Sequence, residues 1–370
     1  MSVGEHWPDG VYPTHLIERL AARGAIAADA PFDADQIQPA SLDLRLGPVA
    51  YRVRASFLPG PDATVAERIE QLKLHAIALE DGAVLERGCV YVVPLMERLD
   101  LPAPLSGSAN PKSSTGRLDV FTRVICDRAR SFDQVPAGYR GPLYLEISPR
   151  TFPVLVRAGS RLSQLRLRRG DSRLDAAQHL ALHRAQTLVS NAEDAVGVGV
   201  SLSIDLEGAA RGGLIGFRSK RHTDVVDVDK KGALDVLDFW DPLYARGRSE
   251  LILDPDEFYI LVSHEAVHVP PDHAAEMVPI DPLVGEFRVH YAGFFDPGFG
   301  HTQAGGAGSR AVLEVRSREV PFLVNHGQTI GRLIYERLAE RPERLYGQEL
   351  GSHYQAQSLK LSKHFKPFPG

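Results

Sequence analysis

Leu85–Pro102, LERGCVYVVPLMERLDLP, returns as Leu253–Pro270, LDPDEFYILVSHEAVHVP, at a constant offset of 168 residues. Tyr91 falls on Tyr259, Glu97 on Glu265 and Pro102 on Pro270. A second block, Leu145–Leu165 (LEISPRTFPVLVRAGSRLSQL), matches Leu313–Leu333 (LEVRSREVPFLVNHGQTIGRL) at the same offset, placing Glu146 on Glu314, Pro153 on Pro321 and Gly159 on Gly327. Two separated blocks in one register mark an internal duplication, which governs the fold before any single motif is weighed. A third, looser correspondence sets Ser41-Leu-Asp43-Leu against Ser203-Ile-Asp205-Leu.

Inside each repeat the pattern is that of strands. The run Val90, Tyr91, Val92, Val93 and the run Val154–Val156 are β-branched and bounded by Pro and Gly. Helical signals are few: Thr14 caps a helix through Ala22 ending at Gly24, and Asp171 or Ser172 starts another reaching about Val189. A mainly β chain follows, with a first repeat over 1–170, a helical linker over 171–196 and a second repeat over 197–340. The 33 glycines and 26 prolines supply the turns that so many short strands require.

The net charge of −5 makes no field for DNA, RNA or an anionic membrane, so a polyanionic ligand must be gripped by a local cluster of donors. Cys89 and Cys126 stand alone, which argues against a zinc knuckle and a disulfide framework and predicts a reducing, cytoplasmic setting. Met1–Gly10 has no apolar core of a signal peptide, and no apolar run approaches the roughly 18 residues of a membrane span.

Chemistry concentrates at Pro111-Lys112-Ser113-Ser114-Thr115-Gly116-Arg117. Paired hydroxyls, a lysine, a flexible glycine and a guanidinium are what phosphate oxygens need; a solvated turn is the alternative reading. The segment, following Glu97–Pro102, resembles the R-S-S-x-x-R phosphate loop of the deoxycytidine triphosphate deaminases, relatives of the dUTPases, with lysine in place of the leading arginine. Ala292-Gly-Phe-Phe-Asp296-Pro-Gly298-Phe299-Gly300, then Ala311-Val-Leu-Glu314, resembles the family's A-G-x-I-D-P-G-F-x-G motif and its L-E strand, with Gln303–Ser309 as an insertion. The first repeat carries a blurred copy, Phe132-Asp133 to Gly141 and then Glu146. Gln38–Gly47 is similar to the family's opening motif, and Gly351-Ser-His-Tyr354-Gln-Ala-Gln357 to the tail that closes over nucleotide. The long, duplicated members are the closest in plan.

The resemblance implies tandem dUTPase-like β-clip repeats, a closing tail over 341–370, and hydrolysis of dCTP to dUTP and ammonia. It implies catalysis by Glu314 or Glu146, with substrate held by Lys112, Ser113, Ser114, Arg117, Asp296, Gly298, Tyr354 and Gln357. Magnesium would accompany the triphosphate, and a homo-oligomer, three-fold in the family, would form. Two rivals stand beside this reading: a bifunctional enzyme that also releases pyrophosphate, and a non-catalytic nucleotide-binding assembly.

Deamination needs water activated for attack on C4 and protons for N3 and for the leaving ammonia, all of which one carboxyl group can shuttle. The H-x-E and P-C-x-x-C elements of zinc deaminases are missing from the sequence. His264 and His268, four apart on a strand, lie about 13 Å from end to end, too far for one zinc, so no metal site is expected from them. The second repeat has no Ser-Ser-x-x-Arg in Ile280–Phe287, whereas its base-and-sugar motif is the cleaner copy. The repeats are therefore expected to have specialised, Lys112, Ser113, Ser114 and Arg117 facing Asp296 and Glu314 within a chain or across chains. The rival pairing keeps Glu146 with the first-half loop.

Overall fold

A computed structural model describes residues 7–190, 195–247, 249–279, 287–290, 293–302, 308–317, 319–346 and 359–368. The chain is mainly β, and the duplication is drawn in its hydrogen bonds. In the first half one six-stranded sheet orders Gln134–Val135, Leu105–Pro111, Arg161–Arg169, Ser41–Arg45 and Ile37–Gln38, with Gly10–Val11 beside Arg161–Arg169. The other orders Val120–Cys126, Arg140–Pro149, Val90–Asp100, Val49–Val53 and Lys73–Ala78, with Ile26–Ala28 added to Val90–Asp100. The second half repeats the plan with two five-stranded sheets, built around Thr329–Arg337 with His273–Pro279 and around Phe258–Val267 with Ser309–Ser317.

Residues aligned by the repeat do the same work. The Tyr91 hydroxyl accepts the Glu86 N–H at 3.0 Å, and the Tyr259 hydroxyl accepts the Asp254 N–H at 3.0 Å. Glu97 and Glu265 are both buried acceptors, of the Arg45 N–H at 2.8 Å and the Ser203 N–H at 2.8 Å. A buried carboxylate is tolerable only when so satisfied, which explains why both copies keep it. The third correspondence is corrected by the same bonds. Gly47 N–H donates to Pro94 O and Asp205 N–H to Val262 O, so Asp205 stands where the first half has Gly47, and Asp43 has no aspartate counterpart.

Helix Thr14–Ala22 forms as the sequence predicts, but Pro13 is its N-cap and the Thr14 hydroxyl instead donates to Gln38 O at 3.0 Å. The linker helix begins later than expected, at Ala176–Ala185, because Asp175 and Gln178 make a capping box. It packs on the second half, where His179 Nε2 accepts the Tyr335 N–H at 3.1 Å. Helix Val65–Leu72, capped by Thr64 and Glu67, was not anticipated.

One core cluster spans both halves, beside a second that is formed by the linker and the second half. Phe152 of the first repeat meets Phe239 and Trp240 of the second edge-on at 5.6 and 5.3 Å, contacts worth about 0.5–1.5 kcal/mol each beyond burial. Val226–Asp227 crosses over to pair in parallel with Val154–Val156. Glu336, fully buried, accepts from Arg166, Arg168 and Ser172, each at 3.0 Å, and so binds the end of the first repeat to the last strand of the second. These ties hold the two repeats in one orientation. No helix among the described residues is long and apolar enough to cross a membrane.

Candidate functional site

At the seam between the repeats lies a cavity of about 700 Å³. Its first-half wall includes Lys112, Ser113, Ser114, Arg117, Arg161 and Gln164; its second-half wall includes Phe294, Asp296, Phe299, Val312 and Glu314. The structure thus brings the first-half loop and the second-half motif together inside a single chain.

The loop is not the open wrap that its composition suggests. Ser113–Gly116 makes one helical turn, with the Thr115 and Gly116 N–H groups donating to Lys112 O at 2.8 and 3.0 Å. Strand Leu105–Pro111 leads into this turn and fixes where it points. Ser114 is buried, Ser113 half-buried, and Lys112 forms an ion pair with Asp43 on the neighbouring side.

Glu314 lies on Ser309–Ser317, opposite Ile260 on one side and His290 on the other. It is only 5% exposed, and burial pushes its carboxyl up to about 8, although Arg117, whose Nε is 3.9 Å away, pulls the other way. Asp296 is likewise raised, to about 6, by burial, against the pull of Arg166 at 3.9 Å. Its Oδ1 is buried with no hydrogen-bond partner among the described residues. An unsatisfied buried acceptor in a cavity wall is an invitation to a ligand donor. Gly298 does not line the cavity: at φ +92° it closes the turn that presents Asp296, and its N–H donates to Val269 O.

Glu146 is not brought to the cavity. Arg123 stands directly opposite it on the neighbouring strand and donates to Oε1 from Nε at 3.0 Å and Nη2 at 2.6 Å, while the guanidinium stacks 3.5 Å from the Phe132 ring centroid. The carboxylate is a buried, paired strand residue. Tyr354 and Gln357 lie outside the described residues, as does 280–286, where the second half departs from the phosphate motif.

Several wall residues went unremarked in the sequence. Tyr346 docks on the Asp296 turn, its N–H donating to Pro297 O and its ring 5.8 Å from that of Phe299. Arg166, fully buried and not itself part of the lining, places its guanidinium 4.0 Å from the ring centroid of the wall residue Phe294. Lys231 and Lys363 line the cavity from segments far away in the chain. The lining thus combines aromatic rings, two raised carboxyl groups and the cations on and around the turn. That is the chemistry of a planar base attached to a polyphosphate.

The lining carboxylates Asp33, Asp35, Asp43 and Asp229 do not fit a protein-built magnesium cage. Asp33 and Asp35 pair with Arg161, Asp43 with Lys112, and Asp229 with Arg157 at 3.2 Å. Each is already committed to a cation. The described lining holds no cysteine or histidine, the ligands that zinc prefers. Elsewhere, His264 meets not His268 but Asp205 and His326, with ligand atoms within 4.8 Å of one another. Asp205 there is bonded by Arg211 and Arg310 and by the N–H groups of Glu207 and Gly208, so its oxygens are taken and two guanidiniums would repel a metal ion.

Comparison with known proteins bears on this site. Residues 8–171 match the family model for the 2'-deoxycytidine 5'-triphosphate deaminase N-terminal domain, and residues 175–365 match that for its C-terminal domain. A solved structure of 2'-deoxycytidine 5'-triphosphate deaminase from Agrobacterium tumefaciens is 64% identical, with a TM-score of 0.89, and the likeness covers 93% of this chain and 100% of that one. A dCTP deaminase of Halorubrum lacusprofundi is 32% identical over 153 residues, 40% of this chain and 72% of its own length. A dUMP-forming dCTP deaminase of Methanoculleus marisnigri is 33% identical over 159 residues, 42% of this chain and 78% of its own. Each of the latter two aligns with a stretch about as long as one repeat.

Proposed function

From the premise that this chain belongs to the 2'-deoxycytidine 5'-triphosphate deaminase family and is a dCTP deaminase, we propose that Glu314 carries the chemistry, without zinc, and that the products are dUTP and ammonia. The supporting observation is a buried carboxyl group, held largely protonated at neutral pH, in the same cavity as the Lys112–Arg117 turn. Lys112, Ser113, Ser114 and Arg117 bind phosphate oxygens; magnesium would come with the substrate and supply charge neutralisation, since Asp33, Asp35, Asp43 and Asp229 are already paired with cations. Phe299 and Tyr346 flank the nucleoside, and Asp296 accepts from the sugar hydroxyl.

Glu314 starts as the acid. It donates its proton to N3, takes one from water as that water adds to C4, and returns it to the amino group. The C4–N4 bond then breaks, ammonia leaves with the electron pair, and the C4 hydroxyl gives its proton back to the carboxylate. Uracil, ammonia and neutral Glu314 remain, so the cycle closes without a net proton. Burial serves this sequence because a carboxyl group near neutral pKa both gives and takes readily.

An ammonia-release assay with dCTP tests the assignment. Glu314→Gln should lower kcat by at least about 100-fold, and Glu146→Gln should leave it within a few-fold; the reverse pattern sinks it. Phosphorus NMR of the products should show dUTP and no pyrophosphate, whereas pyrophosphate would move the chain to the dUMP-forming class to which the Methanoculleus relative belongs. We also propose a three-fold homo-oligomer in the cytoplasm, where Cys89 and Cys126 remain free thiols; light scattering should return three chain masses.

A further inference from the structure

Two residues beyond Glu314 on strand Ser309–Ser317, and therefore on the same face about 7 Å along, stands Arg316. It is buried, and its guanidinium reaches across the seam into the first repeat. Nη2 makes an ion pair with Asp119 and donates to the Thr151 hydroxyl at 2.9 Å. Nη1 stays with its own repeat, donating to Asp256 O at 2.8 Å. Thr151 closes the triangle, its Oγ1 donating to Asp119 Oδ2 at 2.6 Å. Asp119 and Thr151 are buried as well, so these bonds form where water screens them little. A hydroxyl accepts from a guanidinium and donates to a carboxylate at once, which suits threonine to the place between the two charges.

The first-repeat end of this triangle continues the phosphate turn. Leu118 N–H donates to Thr115 O at 3.1 Å and Asp119 N–H to Gly116 O at 2.9 Å, so Asp119 ends the coil that begins at Lys112. Its backbone sits at φ +56°, a left-handed value that aspartate accepts more readily than most residues. Its carbonyl accepts the N–H of Arg150, the neighbour of Thr151, at 2.9 Å. The triangle thus joins the residue two places after Arg117 to the residue two places after Glu314. The duplication does not call for it: at the offset of 168, Arg316 falls on Ser148, which has no guanidinium, and Thr151 on Glu319, which has no hydroxyl. The clip belongs to the seam where the phosphate turn and the raised glutamate meet.

We propose that Arg316 is a positioning residue for the deamination, setting Glu314 at its working distance from the Lys112–Arg117 turn through Asp119 and Thr151. This role rests on that of Glu314 proposed above. A nucleotide held by its phosphates on one repeat presents its base to a carboxyl group on the other, so an error between the repeats becomes an error at C4. A displacement of about 1 Å at a reacting group costs up to about 100-fold in rate. Glu336 with Arg166 and Arg168 ties the seam elsewhere, between strands Arg161–Arg169 and Thr329–Arg337. A buried ion pair adds little net stability beyond that of apolar side chains of similar volume, so geometry is what the Arg316 clip contributes.

The test is steady-state deamination of dCTP by the full chain and by its Arg316→Lys, Thr151→Val, Thr151→Ser and Glu314→Gln variants. Lysine keeps the charge but cannot hold Asp119, Thr151 and Asp256 from one plane. Arg316→Lys should lower kcat about 10- to 100-fold with KM within about threefold, because the phosphate residues are untouched. The alkaline limb of its kcat/KM profile should move down from about 8 by about half a pH unit or more, since Glu314 loses burial at unchanged net charge. Thr151→Val should lower kcat about threefold to tenfold, the scale of one buried hydrogen bond, and Thr151→Ser should restore it. Wild-type kcat and limb in both Arg316→Lys and Thr151→Val overturn the proposal. So does a loss of kcat no larger than the loss of folded protein by circular dichroism, with the limb unmoved. Should Arg316→Lys fail to fold, Thr151→Val and Thr151→Ser decide alone. Turnover retained in Glu314→Gln sinks the functional reading and the positioning role with it, whereas an inert Glu314→Gln beside fully active Arg316 and Thr151 variants sinks the positioning role alone.

Discussion

Replacing Glu314 with glutamine should make the protein more stable and the enzyme inert, and the gain in stability should depend on pH in a defined way. The carboxyl group titrates near 4.5 when free and at about 8 in the folded chain. Below pH 4.5 both states are protonated and burial of the acid costs nothing through ionisation. As pH rises, the unfolded chain releases a proton that the folded chain retains, and folding loses about 1.4 kcal/mol for each pH unit until the folded group also ionises. The accumulated cost is under about 1 kcal/mol at pH 5 and about 3 kcal/mol at pH 7. Glutamine has the shape of the neutral acid and no such cost, so urea titrations at the two pH values should show the variant's advantage growing by about 2 kcal/mol between them. An advantage that is flat with pH, or a variant destabilised throughout, refutes the claim that burial holds this group protonated.

The same raised carboxyl group predicts that kcat/KM for dCTP is sustained up to about pH 8 and falls about tenfold per unit above it, because the protonated form meets the substrate; a pH–rate profile rising through 8 would contradict it. Glu146→Gln should cost about 2 kcal/mol in urea unfolding by leaving Arg123 without its carboxylate, while turnover persists. Glu336→Gln should be the most damaging of these changes, by about 3–5 kcal/mol, since Arg166 and Arg168 lose a buried partner between the repeats; a shift below about 1 kcal/mol in thermal or urea unfolding would mean that the seam is held elsewhere. Arg117→Lys should raise KM while keeping the charge near Glu314, because the planar fork is lost. A KM equal to that of the wild type would remove Arg117 from the phosphate site.

How much of this was legible in the sequence depends on where each feature's cause lies. The duplication was readable because Tyr91 and Tyr259, or Glu97 and Glu265, perform the same local bond in each copy, and a local requirement leaves a residue at a fixed offset. The Lys112–Arg117 loop and the Asp296–Glu314 motif were readable as contiguous segments, and their meeting could be argued from what each half lacked. Asp205 was misplaced because the Asp43 match follows four residues of similarity, whereas the hydrogen-bond register puts Asp205 level with Gly47. Helix Val65–Leu72 had a readable start, Thr64 with Glu67, and an apolar stripe at Val65, Ile69 and Leu72, but two turns are too short a run for that spacing to stand out in a strand-rich chain. The seam itself was hidden. Lys231, Tyr346 and Lys363 reach the cavity from three distant places, and no spacing along a chain encodes a convergence that only the packed repeats create.

A structure of the Glu314→Gln protein with dCTP bound puts the whole account at risk. It should show the triphosphate against Lys112, Ser113, Ser114 and Arg117 of the first repeat, and the cytosine ring with C4 and N3 beside residue 314 of the second. A nucleotide seated instead with its ring beside Glu146, or with its phosphates away from the Ser113–Ser114 turn, would contradict the account.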